Sequence, residues 1–391
     1  MRTGLEKLFN NIGQLSGQSL GVCCNHTAID RTGSHIIDLL KQEGVQIKRL
    51  FGPEHGIDAT AQDMIAVDEA GYVSPIETVS LYGDTEASLH PLPETLSDLD
   101  TLVFDIQDIG SRYYTYQASL AYIMEVAANT NTRILVLDRP NPINGIDLNG
   151  NIVQAGFESF VSAYPIATRH AMTMGELGIF FRDVVGIDVE LDVLTLDGWD
   201  RHHWYEETGL PWVYPSPNMP TVETAIVYVG MCLLEGTNIS EGRGTTKPFH
   251  IFGAPWINRT KLTDCLRKCA SDAGLEGVIF RPATFEPRFQ KHSEKVCHGA
   301  EIIVTDRNRL EPLLLGVVVL EALIMENPER FKWRTETYEY VDDPIAIDLL
   351  FGNAQVRGAL EVRVPSRQIV QSMEIELPLF QEQREKCLLY S

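Results

Sequence analysis

A glutamate and a histidine lie side by side in the segment LFGPEHG, Leu50–Gly56, which places a possible acid next to a possible base. Pro53 precedes Glu54 and Gly56 follows His55, so the pair occupies a short turn directly after an apolar run. Burial favours the neutral form of a carboxyl group, and a neutral Glu54 could donate a proton as a general acid. The alternatives are structural: Glu54 could cap a helix or pair with a nearby arginine.

The apolar run before Glu54, Val45–Gly52, is one of four strand-like segments that end in polar side chains. The other three are Ser19–Asn25, Asp100–Asp108 and Arg133–Pro140. In an open α/β sheet, ligands bind outside the carboxyl ends of the strands. We therefore expect a polar site at one edge of a sheet. Besides Glu54 and His55, the candidates at that edge are Asn25, His26, Thr27, Asp105, Gln107, Asp108, Ser111, Arg112, Tyr113, Asp138, Arg139 and Asn141.

The order of these segments predicts the fold. Two helix-like segments, Ser34–Gly44 and Tyr116–Thr130, alternate with strand-like runs that are apolar on both faces. This pattern predicts an α/β fold with a Rossmann-like, doubly wound and mainly parallel sheet in residues 1–160. A loop-rich stretch, residues 140–164, marks a domain junction. The less regular mixture of helices and strands beyond it predicts a second, α+β domain in residues 161–391.

The composition excludes one class of partner. With 32 Lys and Arg against 54 Asp and Glu, the net charge is −22, which argues against nucleic-acid binding through phosphate neutralisation. The seven cysteines form no CxxC pair, so we expect free thiols in a reducing compartment. No apolar run reaches the roughly 18 residues of a membrane span, and from the amphipathic N-terminus we expect no secretory signal. We expect a cytoplasmic protein, although a leader removed from the chain would leave a periplasmic or secreted location open.

Several common catalytic motifs are absent from the sequence. There is no G-x-G-x-x-G or G-x-x-x-x-G-K-[ST] phosphate loop and no G-x-S-x-G elbow, so we expect no cofactor. The Gly-rich loop Glu241–Phe249 could still bind an anion through Arg243 and Lys247. No H-E-x-x-H spacing occurs, and we expect no metal. A metal-dependent hydrolase remains an alternative, because five side chains could converge to bind a metal ion: His26, His55, Asp105, Asp108 and His170.

Six ordered motifs resemble the exo-β-N-acetylmuramidase family typified by NamZ. They are LFGPEHG (Leu50–Gly56), FDIQDIGSRYYTY (Phe104–Tyr116), VLDRPNPI (Val136–Ile143), GLPWVYPSPNMPT (Gly209–Thr221), LLEGTNISEGRGTTKPF (Leu233–Phe249) and GAPW (Gly253–Trp256). The resemblance runs from about Gly21 to beyond Asp306. It implies a Rossmann-like domain and a C-terminal domain with the active site in the cleft between them. The implied activity is release of terminal β-1,4-linked N-acetylmuramic acid (MurNAc) from the non-reducing end of peptidoglycan fragments.

The resemblance also assigns roles to individual residues. Glu54 matches the glutamate proposed as catalytic in the family, with His55 beside it. The second catalytic group stays open among Asp105, Asp108 and Glu241, and the acetamide of the substrate is a further possibility, so the sequence does not choose between retention and inversion. We expect peptidoglycan fragments as partners, with an unknown oligomeric state. The expected substrate-binding residues are Asn25, Arg112, Tyr116, Arg139, Arg169, Asn218, Asn238, Glu241 and Arg243.

Because muramic acid carries a lactyl group, we expect a positively charged side chain in the site. This group carries a carboxylate, and a bidentate arginine is its natural partner. The candidate arginines in the matched stretch are Arg112, Arg139, Arg169 and Arg243. A protein that binds such sugars without cleaving them is the alternative that keeps the same site.

Overall fold

The computed structural model describes residues 1–62, 65 and 75–391. Within these ranges the chain forms two sheets, with helices around them. The strands are β1 Leu20–Cys24, β2 Ile47–Gly52, β3 Glu77–Ser80, β4 Thr101–Asp105, β5 Arg133–Leu137, β6 Leu191–Leu194, β7 Ile251–Ala254, β8 Val278–Phe285 and β9 Cys297–Val304. The helices are α1 Gly4–Asn10, α2 Ile36–Gln42, α3 Pro93–Leu96, α4 Tyr116–Ala127, α5 Met174–Phe180, α6 Val222–Met231, α7 Arg259–Ala273, α8 Pro312–Glu326, α9 Ala346–Phe351, α10 Gln355–Glu361, α11 Ser366–Met373 and α12 Leu377–Glu385.

The first sheet is parallel and doubly wound, as the sequence predicts. Its strand order is β3-β2-β1-β4-β5-β6, and every neighbouring pair is parallel. The chain builds outward from β1 through β2 to β3, and then continues from β4 on the other side of β1. The direction of winding therefore reverses between β1 and β4. Open α/β sheets bind ligands at such a switch point, beyond the carboxyl ends of the strands.

Both faces of this sheet are covered. On one face, Val22 of β1 packs with Leu8 of α1 and Leu40 of α2. On the other face, Phe104 of β4 packs with Leu120 of α4 in the larger core cluster. All five residues of β1 and of β4 are buried, which explains why these strands read as continuous apolar runs rather than as alternating ones.

The second sheet is antiparallel, with strand order β7-β9-β8. Helix α7 packs on β8 and on α8, and α8 packs in turn on α6. The crossing of α6 and α8 requires glycine, because a Cβ atom on Gly230 would lie 2.0 Å from the carbonyl oxygen of Pro312. This arrangement confirms the predicted α+β character of the C-terminal part of the chain.

The parallel sheet continues past the predicted junction near residue 160. Its last strand, β6, pairs with β5, and α5 precedes it. The division into domains at residues 160 and 161 stays a prediction, but the sixth strand of the parallel sheet, β6, lies beyond residue 160. The sequence EPLLLGVVVLEALIM, residues 311–325, predicts a buried helix, and α8 forms there. None of the helices in the described part of the chain is both long and apolar enough to cross a membrane.

Candidate functional site

Glu54 lies in a tight turn at the carboxyl end of β2. The amide of Gly56 donates to the carbonyl oxygen of Pro53 at 2.9 Å, which closes the turn. His55 adopts a φ of 71° and Gly56 a φ of 80°. A positive φ is uncommon for a residue other than glycine, although His adopts it more readily than most. Backbone of this kind clusters at functional sites. Glu54 and His55 are only 5% and 7% exposed, and the turn therefore holds both side chains inside the molecule.

Two polar side chains contact the carboxyl group of Glu54. The hydroxyl group of Thr115 donates a short hydrogen bond to Glu54 Oε2. His55 Nε2 lies 3.6 Å from Glu54 Oε1, while His55 Nδ1 donates to the carbonyl oxygen of Ala61 at 2.9 Å. Thr115 is the residue that precedes α4. The turn after β2 and the loop after β4 therefore meet at Glu54, on either side of β1.

Glu54 lines a narrow pocket, and residues from both halves of the chain form its walls. The pocket encloses about 30 Å³, which is room for about one or two water molecules. We call it the Glu54 pocket. Its lining residues are Glu54, His55, Tyr113, Tyr114, Thr115, Val161, Ser216, Asn218, Met219, Tyr228, Glu235, Arg243, Phe249, Tyr338 and Glu339.

A second buried carboxylate, Glu235, lines the same pocket. It lies in the 3-10 turn Cys232–Gly236, directly after α6. Arg243 Nη2 donates to Glu235 Oε1 at 2.6 Å, and the hydroxyl group of Tyr338 donates to Oε2 at 2.7 Å. Burial alone would raise the pKa of Glu235, but the charge and hydrogen bond of Arg243 outweigh it and hold the pKa below its ordinary value. Glu235 is therefore ionised at neutral pH.

Glu235 also lines a wider groove outside the pocket. This outer groove encloses about 750 Å³. Lys291 fixes one wall, since its ammonium group donates to Glu241 Oε2 at 3.0 Å and to the carbonyl oxygen of Leu234 at 2.8 Å. The lining residues are Glu235, Thr237, Asn238, Glu241, Gln290, Lys291, His292, Lys332, Trp333, Arg334, Thr335 and Glu336.

The segment Tyr338–Tyr340 closes one side of the Glu54 pocket and ties the two halves of the chain together. Tyr338 bonds to Glu235, as described above. The hydroxyl group of Tyr82 donates to Glu339 Oε2 at 3.0 Å, and that of Tyr340 donates to the carbonyl oxygen of Gly83 at 2.8 Å. Glu339 and Tyr340 have φ values of 45° and 69°, so this wall also contains strained backbone.

Of the residues predicted from the sequence, five line the Glu54 pocket: Glu54, His55, Tyr113, Asn218 and Arg243. Asn218 Nδ2 donates to Gln62 Oε1 at 2.8 Å, which joins the segment after Pro215 to the loop that follows Glu54. Asn238 and Glu241 instead line the outer groove.

Asp105 and Arg139 form a buried ion pair. Arg139 Nε donates to Asp105 Oδ1 at 2.5 Å, and Arg139 Nη2 donates to Oδ2 at 3.0 Å. Asp105 is fully buried, and Arg139 also donates to the carbonyl oxygen of Ile29. Neither residue is among those that line the Glu54 pocket. Each satisfies the other, which is the arrangement of a structural pair that fixes the ends of β4 and β5.

Three other predicted site residues, Asp108, Arg112 and Arg169, form hydrogen bonds or ion pairs within the protein. Asp108 Oδ2 accepts from the amide of Gly110 at 2.7 Å and lies 3.5 Å from His170 Nε2. Arg112 is fully buried and donates to the carbonyl oxygens of Asn151, Ile166 and Leu350. Arg169 pairs with Asp147 at 3.2 Å and donates to the carbonyl oxygen of Ile143. The structure does not bring Asp108, Arg112 or Arg169 into the lining of the Glu54 pocket.

Asn25 and Tyr116 position the segment after Pro215 but do not line the Glu54 pocket. Asn25 Nδ2 donates to the hydroxyl oxygen of Tyr116 at 3.1 Å, and that hydroxyl donates to the carbonyl oxygen of Pro215 at 2.6 Å. Both side chains are fully buried. They hold the segment that carries Ser216 and Asn218 against the edge of the parallel sheet.

Sequence reasoning missed several residues of the pocket. Thr115 and Glu235 lie inside the motifs FDIQDIGSRYYTY and LLEGTNISEGRGTTKPF, so the motifs were a signal that could have found them. The sequence predicts one helix from Thr221 to Gly236, whereas α6 ends at Met231 and tightens into the turn that carries Glu235. Tyr338 and Glu339 lie outside every motif, and no sequence signal pointed to them.

The histidines and acids proposed for a metal do not assemble as ligands. Among the described residues, no three His, Cys, Asp or Glu side chains form a group that could hold a metal ion. His170 and Asp108 face each other, and His55 faces Glu54.

Comparisons with known proteins extend the likeness over the whole chain. Family models described as "Exo-beta-N-acetylmuramidase NamZ, N-terminal" and "Exo-beta-N-acetylmuramidase NamZ, C-terminal" match residues 20–223 and 226–390. A relative from Bacillus subtilis (strain 168), peptidoglycan beta-N-acetylmuramidase NamZ, is 39% identical over 396 residues, which cover 100% of this chain and 91% of the relative.

Two crystal structures of DUF1343 family proteins from Bacteroides fragilis NCTC 9343 share the fold. The first has a TM-score of 0.85 and 31% identity, and the match covers 100% of this chain and 99% of the other. The second has a TM-score of 0.76 with the same coverage, but at 24% identity it shows a likeness of fold alone. Because the two family models match almost the whole chain and the Bacillus subtilis relative matches all of it, the protein belongs to the exo-β-N-acetylmuramidase NamZ family and is a glycoside hydrolase.

Proposed function

We propose that this protein is an exo-acting β-N-acetylmuramidase that releases terminal β-1,4-linked MurNAc from the non-reducing end of peptidoglycan fragments. The observation that carries the proposal is the buried Glu54 at the carboxyl edge of the parallel sheet, in a pocket that also holds a second carboxylate. Glycosidic-bond cleavage by most glycosidases requires two such groups. The Bacillus subtilis relative, named as a peptidoglycan β-N-acetylmuramidase, supplies the substrate class.

In this proposal Glu54 is the general acid. It gives its proton to the glycosidic oxygen as the bond to the anomeric carbon breaks. Thr115 holds one carboxyl oxygen by its hydrogen bond, and the tight turn keeps Glu54 pointed into the pocket. His55 faces the other oxygen at 3.6 Å, a distance at which it can orient the carboxyl group or a bound sugar hydroxyl.

The shape of the site favours action at a chain end. A narrow pocket meets a groove that is about twenty-five times larger, and Glu235 lines both. A terminal sugar would enter the pocket while the rest of the glycan and any stem peptide stay in the outer groove. A pocket of about 30 Å³ cannot hold a pyranose ring unless a wall moves, and the segment Tyr338–Tyr340 is the wall held mainly by side-chain hydroxyl groups.

The lactyl carboxylate has one candidate partner in the pocket. Arg243 is the arginine, of the four predicted from the sequence, that lines the Glu54 pocket. It already bonds to Glu235, and its Nε lies 3.4 Å from Glu241 Oε1. Outside the pocket, Lys332 and Arg334 line the outer groove and provide positive charge for more distant carboxylates.

The test uses the disaccharide MurNAc-β-1,4-GlcNAc with the wild-type protein and with Glu54→Gln. The wild type should release free MurNAc. Since a positioned general acid contributes about 10²- to 10⁴-fold, Glu54→Gln should lower kcat by that factor, while calorimetric titration still detects disaccharide binding and the Tm stays near the wild-type value. Wild-type protein that binds the disaccharide and never cleaves it would contradict the proposal and favour a binding protein.

A further inference from the structure

We infer that Glu235 is the second catalytic carboxylate of this site and faces the positive charge that develops at the anomeric carbon. This inference rests on the proposed function, because it assigns a role in the same glycosidic cleavage. The sequence placed the second group among Asp105, Asp108 and Glu241. The structure brings none of these three to the wall of the Glu54 pocket.

The first support is position. Glu54 reaches the pocket from the end of β2, and Glu235 reaches it from the turn after α6, so two separate parts of the chain place a carboxyl group in one small space. Both side chains are nearly inaccessible, with Glu235 only 6% exposed. A sugar that enters this pocket to reach Glu54 would therefore meet both carboxyl groups.

The second support is the contrast between the two environments. Glu54 contacts a hydroxyl group and an imidazole, whereas Glu235 contacts the guanidinium group of Arg243 and the hydroxyl group of Tyr338. Arg243 favours the charged form of Glu235 and lowers its pKa despite burial. The ion pair with Arg243 suits Glu235 to act as the anion, while the proposed function gives Glu54 the role of proton donor.

The third support is access. Glu235 lines the outer groove as well as the pocket, so in this proposal the water of hydrolysis enters from the groove while a sugar occupies the pocket. Cleavage consumes one water: Glu54 protonates the leaving oxygen, and the water oxygen ends on the anomeric carbon. If Glu235 takes the proton of that water directly, the α anomer is released. If its carboxylate first forms an ester with the anomeric carbon, a second displacement by water frees the carboxylate and releases the β anomer.

Other carboxylates near the site are less suited to this role. Asp105 is fully buried and does not line the Glu54 pocket, and Glu241 is held by Lys291 and faces the outer groove. Glu339 is the remaining carboxylate in the pocket, and it accepts a hydrogen bond from Tyr82. It belongs to the strained segment next to Tyr338, so we assign it to the wall rather than to the chemistry.

The experiment compares two substrates, MurNAc-β-1,4-GlcNAc and 4-nitrophenyl β-MurNAc. Nitrophenolate leaves without a proton, whereas a sugar hydroxyl does not. Glu54→Gln should therefore lose about 10²- to 10⁴-fold in kcat on the disaccharide and much less on the nitrophenyl substrate. Glu235→Gln should lose a similar factor on both substrates, because the charge at the anomeric carbon develops with either leaving group.

Three further measurements separate catalysis from a structural role. The residual activity of Glu235→Gln should lack the acidic limb of the wild-type pH profile, since that limb reports the ionised carboxylate. With Glu235→Ala and the nitrophenyl substrate, sodium azide should restore turnover and yield the glycosyl azide. The control is Glu301→Gln, which removes a buried charge paired with Lys247 and Arg281. Glu301 lines neither the Glu54 pocket nor the outer groove, so this change should leave kcat within about twofold.

Each outcome decides between the two proposals. If the wild type does not cleave the disaccharide, the proposed function fails. If the wild type is active and Glu54→Gln is not, but Glu235→Gln keeps more than a tenth of kcat, only the assignment of Glu235 is overturned. The assignment is also overturned if Glu339→Gln, rather than Glu235→Gln, loses turnover on both substrates, or if azide restores nothing and the acidic limb persists.

Discussion

Replacement of Asp105 by asparagine tests whether the pair with Arg139 is structural or catalytic. In the folded protein Asp105 is fully buried and Arg139 is 5% exposed, and two hydrogen bonds of 2.5 and 3.0 Å join them. Asp105→Asn keeps the shape of the side chain but removes its charge. The guanidinium group of Arg139 would then stay buried opposite a neutral amide, which is the costly half of a broken ion pair.

The expected loss in the free energy of unfolding is about 3–5 kcal/mol, because breaking a buried pair leaves an uncompensated charge. An unfolding entropy of about 2.1 cal/mol/K per residue gives roughly 0.8 kcal/mol/K for a chain of this length, so the Tm should fall by about 4–6 °C. The double variant Asp105→Leu with Arg139→Met removes both charges and should recover much of this loss.

The assay is thermal unfolding followed by circular dichroism, together with kcat on the disaccharide well below the Tm. We expect Asp105→Asn to have the lowered Tm and a kcat within about threefold of the wild type. An Asp105→Asn protein with an unchanged Tm and no turnover would refute the structural interpretation and return Asp105 to the catalytic residues.

Two further predictions concern Thr115 and Asp138. Thr115→Val removes the hydroxyl group that holds Glu54 and should lower kcat about 10- to 100-fold, as expected for a hydrogen bond to a charged or proton-transferring group; Thr115→Ser should restore most of the rate, and an equal loss in both variants would contradict a positioning role. Burial raises the pKa of Asp138 from 3.8 to about 7, although Tyr390, Gly175 and Thr173 donate to its carboxylate. A raised carboxyl pKa gives stability that is complete below pH 3.8 and is lost as the pH rises through about 7, so the Tm of Asp138→Asn relative to wild type should increase between pH 4.5 and 7.5, and a constant difference would contradict this sign.

The sequence predicted the parts of the structure that depend on local pattern. The apolar runs of β1, β2, β4 and β5 indicated a parallel sheet, because strands buried on both faces must be apolar throughout. The turn that carries Glu54 was visible because proline and glycine mark turns. The strand order was not predicted. The alternating segment Val189–Trp199 indicated a strand, but it was assigned to the second domain, whereas β6 within it pairs with β5 in the parallel sheet.

The pocket was harder to predict because long-range pairing defines it. Asp105, Arg139 and Arg112 have the residue types of a sugar site, but their partners in space decide that they stabilise the fold. Glu235 looked like part of an apolar helix, and only the end of α6 at Met231 turns it towards Arg243. Tyr338 and Glu339 come from a segment more than a hundred residues later, and nothing in their local sequence indicates that they meet Glu54.

The measurement that tests the central claim most directly is proton NMR of a defined MurNAc-β-1,4-GlcNAc disaccharide incubated with the wild-type protein, beside the isomeric disaccharide GlcNAc-β-1,4-MurNAc. We predict that free MurNAc appears from the first substrate, that one anomer is enriched in the earliest spectra, and that the second substrate stays intact. Cleavage of both disaccharides at similar rates, or of neither, would contradict the claim that the Glu54 pocket selects a terminal muramic acid and cleaves its glycosidic bond.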